Sequence, residues 1–276
     1  MRKTSPQSNV IVPPLASPAS VYVEIAGVGK AYGVGAGKLV ALEDINLCLR
    51  QGEFVSIVGP SGCGKSTLVK CVAGLEKVTT GVIRIQDQII EGPPKNLGMV
   101  FQRDVLADWR NVLDNVLLVS EFRRRDRRMS ENRARELLDL FGLSESLHRY
   151  PWELSGGMRQ RAAICRALVD DPEFLLMDEP FGALDAMTRD QLNVELQRIW
   201  LNSRKTVLFI THGIAEAVFL SDRVVMMSRN PGRVIETIDI DLPRPRHLSI
   251  RETSTFGAYV SRVRKLFMSL GILKDE

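Results

Sequence analysis

The 276-residue sequence contains no hydrophobic run long enough to cross a membrane. A membrane-spanning helix needs about 18 or more consecutive apolar residues, and none occurs here. The early apolar stretch at residues 10–23 is interrupted by Pro13, Pro14 and Pro18. We therefore expect neither a membrane span nor a signal peptide, and we expect a cytoplasmic protein.

Cysteine is also scarce, with four residues in the chain. None of them has the C-x-x-C spacing or a histidine at the interval typical of a zinc site. This pattern is typical of reduced thiols in a reducing compartment. We expect Cys48, Cys71 and Cys165 to be small core residues.

Neither sign of charge dominates, since 37 basic side chains face 33 acidic ones and the net charge is +4. Charge alone therefore does not indicate a nucleic-acid partner. One dense basic run, residues 123–128, precedes a helix expected at residues 131–141 with Ser130 as its N-cap and with apolar contacts from Leu137, Leu138 and Phe141. We interpret the run as a solvated face, the alternative being attraction to anionic lipid headgroups or to an acidic partner loop.

Residues 59–67 read GPSGCGKST, which is a complete phosphate-binding loop. Its glycines let successive backbone N–H groups and the following helix N-terminus point at one anion. A buried-strand pattern at residues 54–58 precedes it and a helical one at residues 66–73 follows, the context that distinguishes this motif from a chance glycine-rich turn. The predicted phosphate-binding residues are Gly59, Pro60, Ser61, Gly62, Cys63, Gly64, Lys65, Ser66 and Thr67.

Three side chains of this loop have predicted roles. Lys65 would reach the β- and γ-phosphates of ATP, the Ser66 hydroxyl would bind Mg²⁺, and Thr67 would offer a second hydroxyl. We also expect Lys65 and the loop amides to lower the pKa of the Cys63 thiol, so that alkylation would inhibit ATP binding and ATP would protect; the alternative is a side chain that points away from the ligand.

The hydrophobic pattern predicts an α/β fold in several parts. Residues 1–20 resemble a flexible tail, and residues 21–58 alternate as in a half-buried antiparallel β-subdomain. The hydrophobic pattern becomes helical over about residues 103–168, and buried strands are again predicted at residues 174–177 and 207–210. A helix with apolar positions Leu192, Leu196, Ile199 and Trp200 lies between those strands, which favours a parallel crossover.

We thus predict a P-loop NTPase core with a mostly parallel sheet and an inserted helical subdomain, in an ATP-binding domain at residues 21–235. Residues 236–276 would form a C-terminal extension, helical from about residue 249, with apolar positions Val260, Val263, Phe267 and Leu270.

Two further motifs follow the phosphate loop: LSGGM at residues 154–158 and FLLMDEP at residues 174–180. Small residues at Ser155, Gly156 and Gly157 would expose backbone N–H groups at a helix N-terminus, although such a sequence alone is also an ordinary N-cap. With all three motifs in this order, residues 21–233 resemble the ATP-binding subunit of an ABC transporter. Met158 departs from the glutamine most often found in that family.

The resemblance implies a site shared between two chains packed head to tail, with Ser155, Gly156 and Gly157 contacting the γ-phosphate of ATP held by the opposite subunit. Asp178 would hold Mg²⁺, and Glu179 would act as the general base or position the attacking water.

Family position assigns four more residues. Tyr32 would stack on adenine, and Asp185 would lie in a loop that crosses the dimer interface. Gln102 would touch Mg²⁺ and the attacking water, and His212 would hydrogen-bond the γ-phosphate. His148 and His247 lack any motif and are interpreted as structural or surface residues.

The resemblance also implies partners. Family members dock on integral membrane permease subunits at the cytoplasmic face of the inner membrane and work with an extracytoplasmic solute-binding protein. Residues 105–115 would form the permease contact, with Trp109 as its anchor. Residues 109–116 and the LPRPR sequence at residues 242–246 resemble the nitrate, sulfonate, taurine and bicarbonate importer group, although Asp108 stands where that group often has proline.

The alternative is a soluble ABC-type ATPase that acts as a clamp on nucleic acid or ribosomes. The DNA-repair type would carry long heptad repeats between the phosphate loop and LSGGM, and the translation type would repeat the whole cassette. Neither occurs in this sequence. A P-loop kinase would not explain LSGGM.

Overall fold

The computed structural model describes residues 20–33, 37, 39–182, 184–271 and 273. In chain order, its strands are β1 Val21–Tyr32, β2 Leu39–Arg50, β3 Phe54–Val58, β4 Thr80–Ile85, β5 Gln88–Ile89, β6 Leu97–Val100, β7 Phe174–Asp178, β8 Thr206–Ile210, β9 Arg223–Met227 and β10 Val234–Asp239. Its helices are α1 Lys65–Val72, α2 Val112–Phe122, α3 Arg127–Leu140, α4 Gly156–Leu168, α5 Ala186–Ser203, α6 Ile214–Leu220 and α7 Ser254–Ser269. No helix in the part of the chain covered by these ranges is both long and apolar enough to cross a membrane.

A six-stranded sheet in the order β10-β9-β3-β8-β7-β6 forms the centre of the molecule. Its strands are parallel except for β10, which runs antiparallel to β9. Every residue of β3, β7 and β8 is buried, as expected for strands covered on both faces. The predicted parallel crossover is confirmed, since α5 connects β7 to its parallel neighbour β8.

Side chains of the central strands alternate between two cores. Phe54, Met177 and Phe209 pack with the helices on one face, whereas Ile57 and Leu208 pack on the other face with α1 and a second sheet. This two-faced burial explains why the strands read as continuous apolar runs.

The second sheet is antiparallel, in the order β2-β1-β4-β5, and it confirms the predicted β-subdomain. Residues Ile45, Leu47 and Leu49 face its core, and the side chains between them are exposed. Cys48 is one of those exposed residues, so its expected place in the core was wrong. The strand period of two residues decides this, because each neighbour of a buried position points to solvent.

Helices α2, α3 and α4 lie within the predicted insertion. The predicted cap of α3 was wrong: the helix begins at Arg127, one turn earlier, and the Asp126 side chain accepts a hydrogen bond from the Met129 N–H at 2.8 Å. Ser130 is buried inside the helix instead. Both residue types cap helices well, so the sequence did not distinguish them.

The C-terminal extension packs on the core through α7, where Val263 and Phe267 are buried; Leu270, directly after the helix, is exposed. A short 3₁₀ helix, Leu248–Glu252, precedes α7. The predicted tail lies almost wholly outside the described residues, and the predicted domain boundaries remain predictions.

Candidate functional site

The phosphate loop lies between the C-terminal end of β3 and the start of α1, as predicted. Gly62 and Gly64 have positive φ angles of 77° and 96°. Lys65 Nζ donates to the carbonyl oxygens of Gly59 at 2.8 Å and Pro60 at 3.1 Å, which keeps the ammonium against the loop. A cleft of about 480 Å³ opens over the loop. Such a volume and backbone are suited to the phosphates of a nucleotide.

Cys63 points away from this cleft. Its side chain is buried in the core beneath the loop, and its sulfur lies 3.9 Å from Lys65 Nζ. Burial raises the pKa of the Cys63 thiol, and the charge of Lys65 only partly opposes that effect. The expectation of a lowered pKa was therefore wrong, because the lysine acts on a thiol that is mostly removed from water.

Two oxygen-bearing side chains, from α1 and β7, meet beside the phosphate loop. Asp178 ends β7, and its Oδ1 accepts a hydrogen bond from Ser66 Oγ at 3.2 Å. Burial raises the pKa of Asp178, the Ser66 hydrogen bond lowers it, and the neighbouring Glu179 raises it further. A cation placed here would offset that burial.

A carboxylate and a hydroxyl are ligands that suit Mg²⁺, so these residues fit the predicted ion. In the part of the chain that the structure describes, no group of three or more His, Cys, Asp or Glu side chains could hold a metal. Mg²⁺ usually takes one or two carboxylates and completes its shell with phosphate oxygens and water.

Glu179 lies directly after β7 and brings two other predicted residues together. Its Oε2 accepts a hydrogen bond from Gln102 Nε2 at 3.1 Å and lies 3.6 Å from His212 Nδ1. Its backbone has a φ of 47°, and its N–H donates to the Ile210 carbonyl of β8 at 2.9 Å. The side chain of His212 is 54% exposed and therefore accessible to a ligand.

Tyr32 borders the same cleft, at the end of β1. Its hydroxyl donates to Glu76 Oε2 at 3.1 Å, and Lys30 Nζ lies 2.9 Å from that carboxylate and 4.8 Å from the tyrosine ring centroid. Burial raises the pKa of the Tyr32 hydroxyl. Sequence reasoning missed Glu76, because no local pattern signals a partner 44 residues away.

The cleft has other walls that no motif indicated, contributed by β2 and by the loop after β9. They are Leu39, Val40, Ala41 and Asn230.

The LSGGM residues lie apart from the phosphate-loop cleft. Ser155 caps α4, and its Oγ accepts a hydrogen bond from the Met158 N–H at 3.3 Å. Gly156 is exposed beside a second cleft of about 360 Å³. A single chain therefore does not bring Ser155, Gly156 and Gly157 to its own phosphate loop.

Asp185 caps α5 by accepting a hydrogen bond from the Thr188 N–H at 3.0 Å. This bond lowers the pKa of the Asp185 carboxyl. The residue is exposed and does not line the phosphate-loop cleft.

The sequence of this chain is similar to those of known ABC transporter proteins. The sequence profile of the ABC transporter family matches residues 42–182. An uncharacterized ABC transporter ATP-binding protein of Methanocaldococcus jannaschii is 42% identical over 256 residues, which are 93% of this chain and 92% of the relative.

Two relatives have names that state a transported solute. The nitrate import ATP-binding protein of Synechococcus elongatus is 47% identical over 79% of this chain and 81% of its own length. The taurine import ATP-binding protein of Escherichia coli is 46% identical over 74% of this chain and 80% of its own length.

Among solved structures, a dimeric ATP-binding cassette in a post-hydrolysis state bound to ADP and phosphate resembles this fold. The TM-score is 0.72 at 32% identity, covering 80% of this chain and 99% of that one.

Proposed function

The chain belongs to the ATP-binding family of ABC transporters, and on that basis we propose that it is the ATP-hydrolysing subunit of an importer for a small oxyanion or organosulfonate. The family domain implies ATP binding and hydrolysis. The nitrate and taurine relatives support the proposed solute class, which also includes sulfonate and bicarbonate.

The arrangement around Glu179 carries the catalytic proposal. Gln102, Glu179 and His212 come from three separate chain segments, yet Gln102 and His212 both lie within 3.6 Å of the Glu179 carboxylate, beside the phosphate-loop cleft. Phosphoryl transfer depends mainly on positioning and charge stabilisation, and this cluster can position a water for in-line attack. Glu179 would accept its proton or orient it, and His212 would hydrogen-bond the γ-phosphate.

The remaining residues of the cleft would hold the nucleotide. Lys65 and the loop amides neutralise phosphate charge, and the Tyr32 ring stacks on adenine. Ser66, Asp178 and Gln102 would hold Mg²⁺, which when bound offsets charge on the phosphate oxygens.

The exposed start of α4 supports a site shared between two chains. The backbone N–H groups of Ser155, Gly156 and Gly157 form a positive helix terminus. These residues do not line the phosphate-loop cleft of their own chain. A second copy or a paralogue packed head to tail would bring this terminus, with the nearby Asp185 loop, to the opposite ATP. ATP would then hold the dimer closed, and hydrolysis would release it.

The permease contact is proposed at residues 105–115, directly after Gln102. Trp109 is 80% exposed there. The buried Asn115 side chain supports the loop, because its Nδ2 donates to the carbonyls of Ala107, Arg110 and Asn111 and its Oδ1 accepts from the Ala107 N–H. A rigid loop with an exposed tryptophan is suited to docking on a membrane subunit at the cytoplasmic face of the inner membrane. A solute-binding protein would contact the permease rather than this chain.

The alternative function, a soluble ABC-type ATPase that acts on nucleic acid or ribosomes, is less well supported. Within the residues that the structure describes, the longest helix has 18 residues, so nothing there resembles the long coiled-coil arms of a DNA-repair ATPase. The net charge of +4 also gives no strong attraction to nucleic acid.

Co-purification tests this proposal. A tagged Glu179→Gln chain would be purified with ATP from detergent-solubilised native membranes, and the associated chains identified by mass spectrometry. We expect a polytopic permease to co-purify in stoichiometric amount. The additional substitution Trp109→Ala should abolish this association but leave ATP binding intact. Lys65→Ala is the control that should not form the ATP-closed complex. A soluble or nucleic-acid partner, without any membrane protein, would contradict the proposal.

A further inference from the structure

The LPRPR sequence at residues 242–246 contains two arginines, of which Arg246 is buried and Arg244 is partly buried. Arg246 is only 2% exposed. Its guanidinium donates to five backbone carbonyls, at 2.8 to 3.3 Å, of Val218, Phe219, Ser221, Ile240 and Leu242. The first three lie at the C-terminal end of α6, where carbonyl groups lack helical partners. Arg246 therefore caps α6 with a positive charge, which also suits the helix dipole.

The same segment also contacts α5. Gln197 of α5 donates to the Arg246 carbonyl at 2.7 Å and accepts from the Arg246 N–H at 2.8 Å. Arg244 lies 4.3 Å from the Trp200 ring centroid, also in α5, and donates to the Leu220 carbonyl of α6 at 2.6 Å. We call residues 242–246 the arginine clamp, because they join the C-terminal halves of two helices.

The opposite ends of those helices carry residues of the proposed site. Helix α5 begins directly after Asp185, and α6 begins after Gly213, next to His212. The turn at His212 is tied to α6, since Thr211 Oγ1 accepts from the Gly213 N–H at 2.9 Å and is hydrogen-bonded to Glu216 of α6.

Helix α6 is about 10 Å long and is a stiff connection between the clamp and His212. A shift at its capped end would therefore move the histidine. Displacements of about 1 Å in a catalytic group can reduce turnover 100-fold.

We propose that the arginine clamp positions His212 for ATP hydrolysis. This inference rests on the proposed role of His212. Arg244 and Arg246 are then positioning residues that lie outside the phosphate-loop cleft, and the clamp makes the C-terminal extension part of the ATPase mechanism.

The test is a double-mutant cycle that measures kcat and KM for ATP with radiolabelled substrate. Arg246→Gln should lower kcat about tenfold and change KM by less than about twofold, because the phosphate loop and Tyr32 are untouched. In a His212→Ala background, the same substitution should change kcat by less than about twofold, since its effect passes through the histidine. Arg262→Gln is the matched control, because Arg262 lies on α7 of the same extension and pairs with Glu236 on the surface.

The outcomes separate this inference from the proposed function. An equal loss of kcat from Arg246→Gln in both backgrounds would show a merely structural cap and overturn the inference. Parental turnover of His212→Ala alone would instead refute the proposed catalytic role of His212. If Arg246→Gln does not fold, Arg244→Gln replaces it in the same cycle, and a folded Arg244→Gln chain with unchanged kcat would also overturn the inference.

Discussion

Alanine at Gly64 should destabilise the nucleotide-free protein more than alanine at Gly62. Both glycines lie in the phosphate loop with positive φ angles, 96° and 77°. A side chain at a positive φ lowers the free energy of unfolding by about 1–2 kcal/mol at either position. The two substitutions therefore share this loss and differ in the space available to the new methyl group.

That space is very different. A Cβ at Gly64 would lie 2.7 Å from Leu42 Cδ2 and 2.8 Å from the Ala41 carbonyl oxygen, whereas a Cβ at Gly62 meets nothing within 4 Å. Carbon atoms prefer about 3.5–4.0 Å, and Leu42 is fully buried, so the loop or β2 must move. Overpacking of this kind adds about 1–3 kcal/mol. The expected losses are about 2–5 kcal/mol for Gly64→Ala and about 1–2 kcal/mol for Gly62→Ala.

Urea unfolding without nucleotide measures both losses, and leaving out ATP removes any contact between the new methyl group and phosphate. Gly64→Ala should have the lower midpoint at an unchanged slope. Equal midpoints for the two variants would refute the reasoning, because steric contact with Leu42 and Ala41 would then contribute nothing.

Three other predictions concern single side chains. In the folded protein, a maleimide should modify the exposed Cys48 and leave Cys63 unmodified, as mass spectrometry of the parent and of Cys48→Ser would show; ATP-protected labelling of Cys63 would contradict this. Burial raises the pKa of Asp178, so the folded state keeps a proton that the unfolded chain releases above about pH 4. The free energy of unfolding therefore falls as the pH rises from the unfolded pKa of this carboxyl to its folded pKa. Asp178→Asn should therefore resist urea better than the parent at pH 7, with a gap that shrinks towards pH 4, while ATP turnover is lost; a less stable variant at pH 7 would contradict this. Tyr32→Phe keeps the ring but loses the hydrogen bond to Glu76, so the KM for ATP should rise about threefold, and Tyr32→Ser should raise it further; an unchanged KM in both would contradict the stacking role.

Local patterns predicted the elements on either side of the phosphate loop well. The strand at residues 54–58 and the following helix were expected within one residue of β3 and α1, because a buried strand and a glycine-rich turn are signalled by adjacent residues. The places of Glu179 and His212 after β7 and β8 follow from the same logic, since parallel strands bring their C-terminal ends to one edge.

Features that depend on distant packing could not be predicted in this way. The direction of the Cys63 side chain follows from which face of the loop meets the core, and the hydrogen bond from Tyr32 to Glu76 joins segments 44 residues apart. No local pattern signalled that Arg246 is buried, because arginine is rarely buried, and the carbonyl groups at the end of α6 explain its position.

The pairing of two chains around ATP is the central claim, and analytical ultracentrifugation of Glu179→Gln with ATP and Mg²⁺ tests it most directly. This variant should bind ATP, hydrolyse it at least about 100-fold more slowly than the parent, and sediment with the mass of two chains. Adding Ser155→Arg, which places a bulky side chain at the start of α4, should return it to one chain with ATP still bound. A Glu179→Gln chain that stays monomeric at saturating ATP, or turns over at the parental rate, would contradict the account.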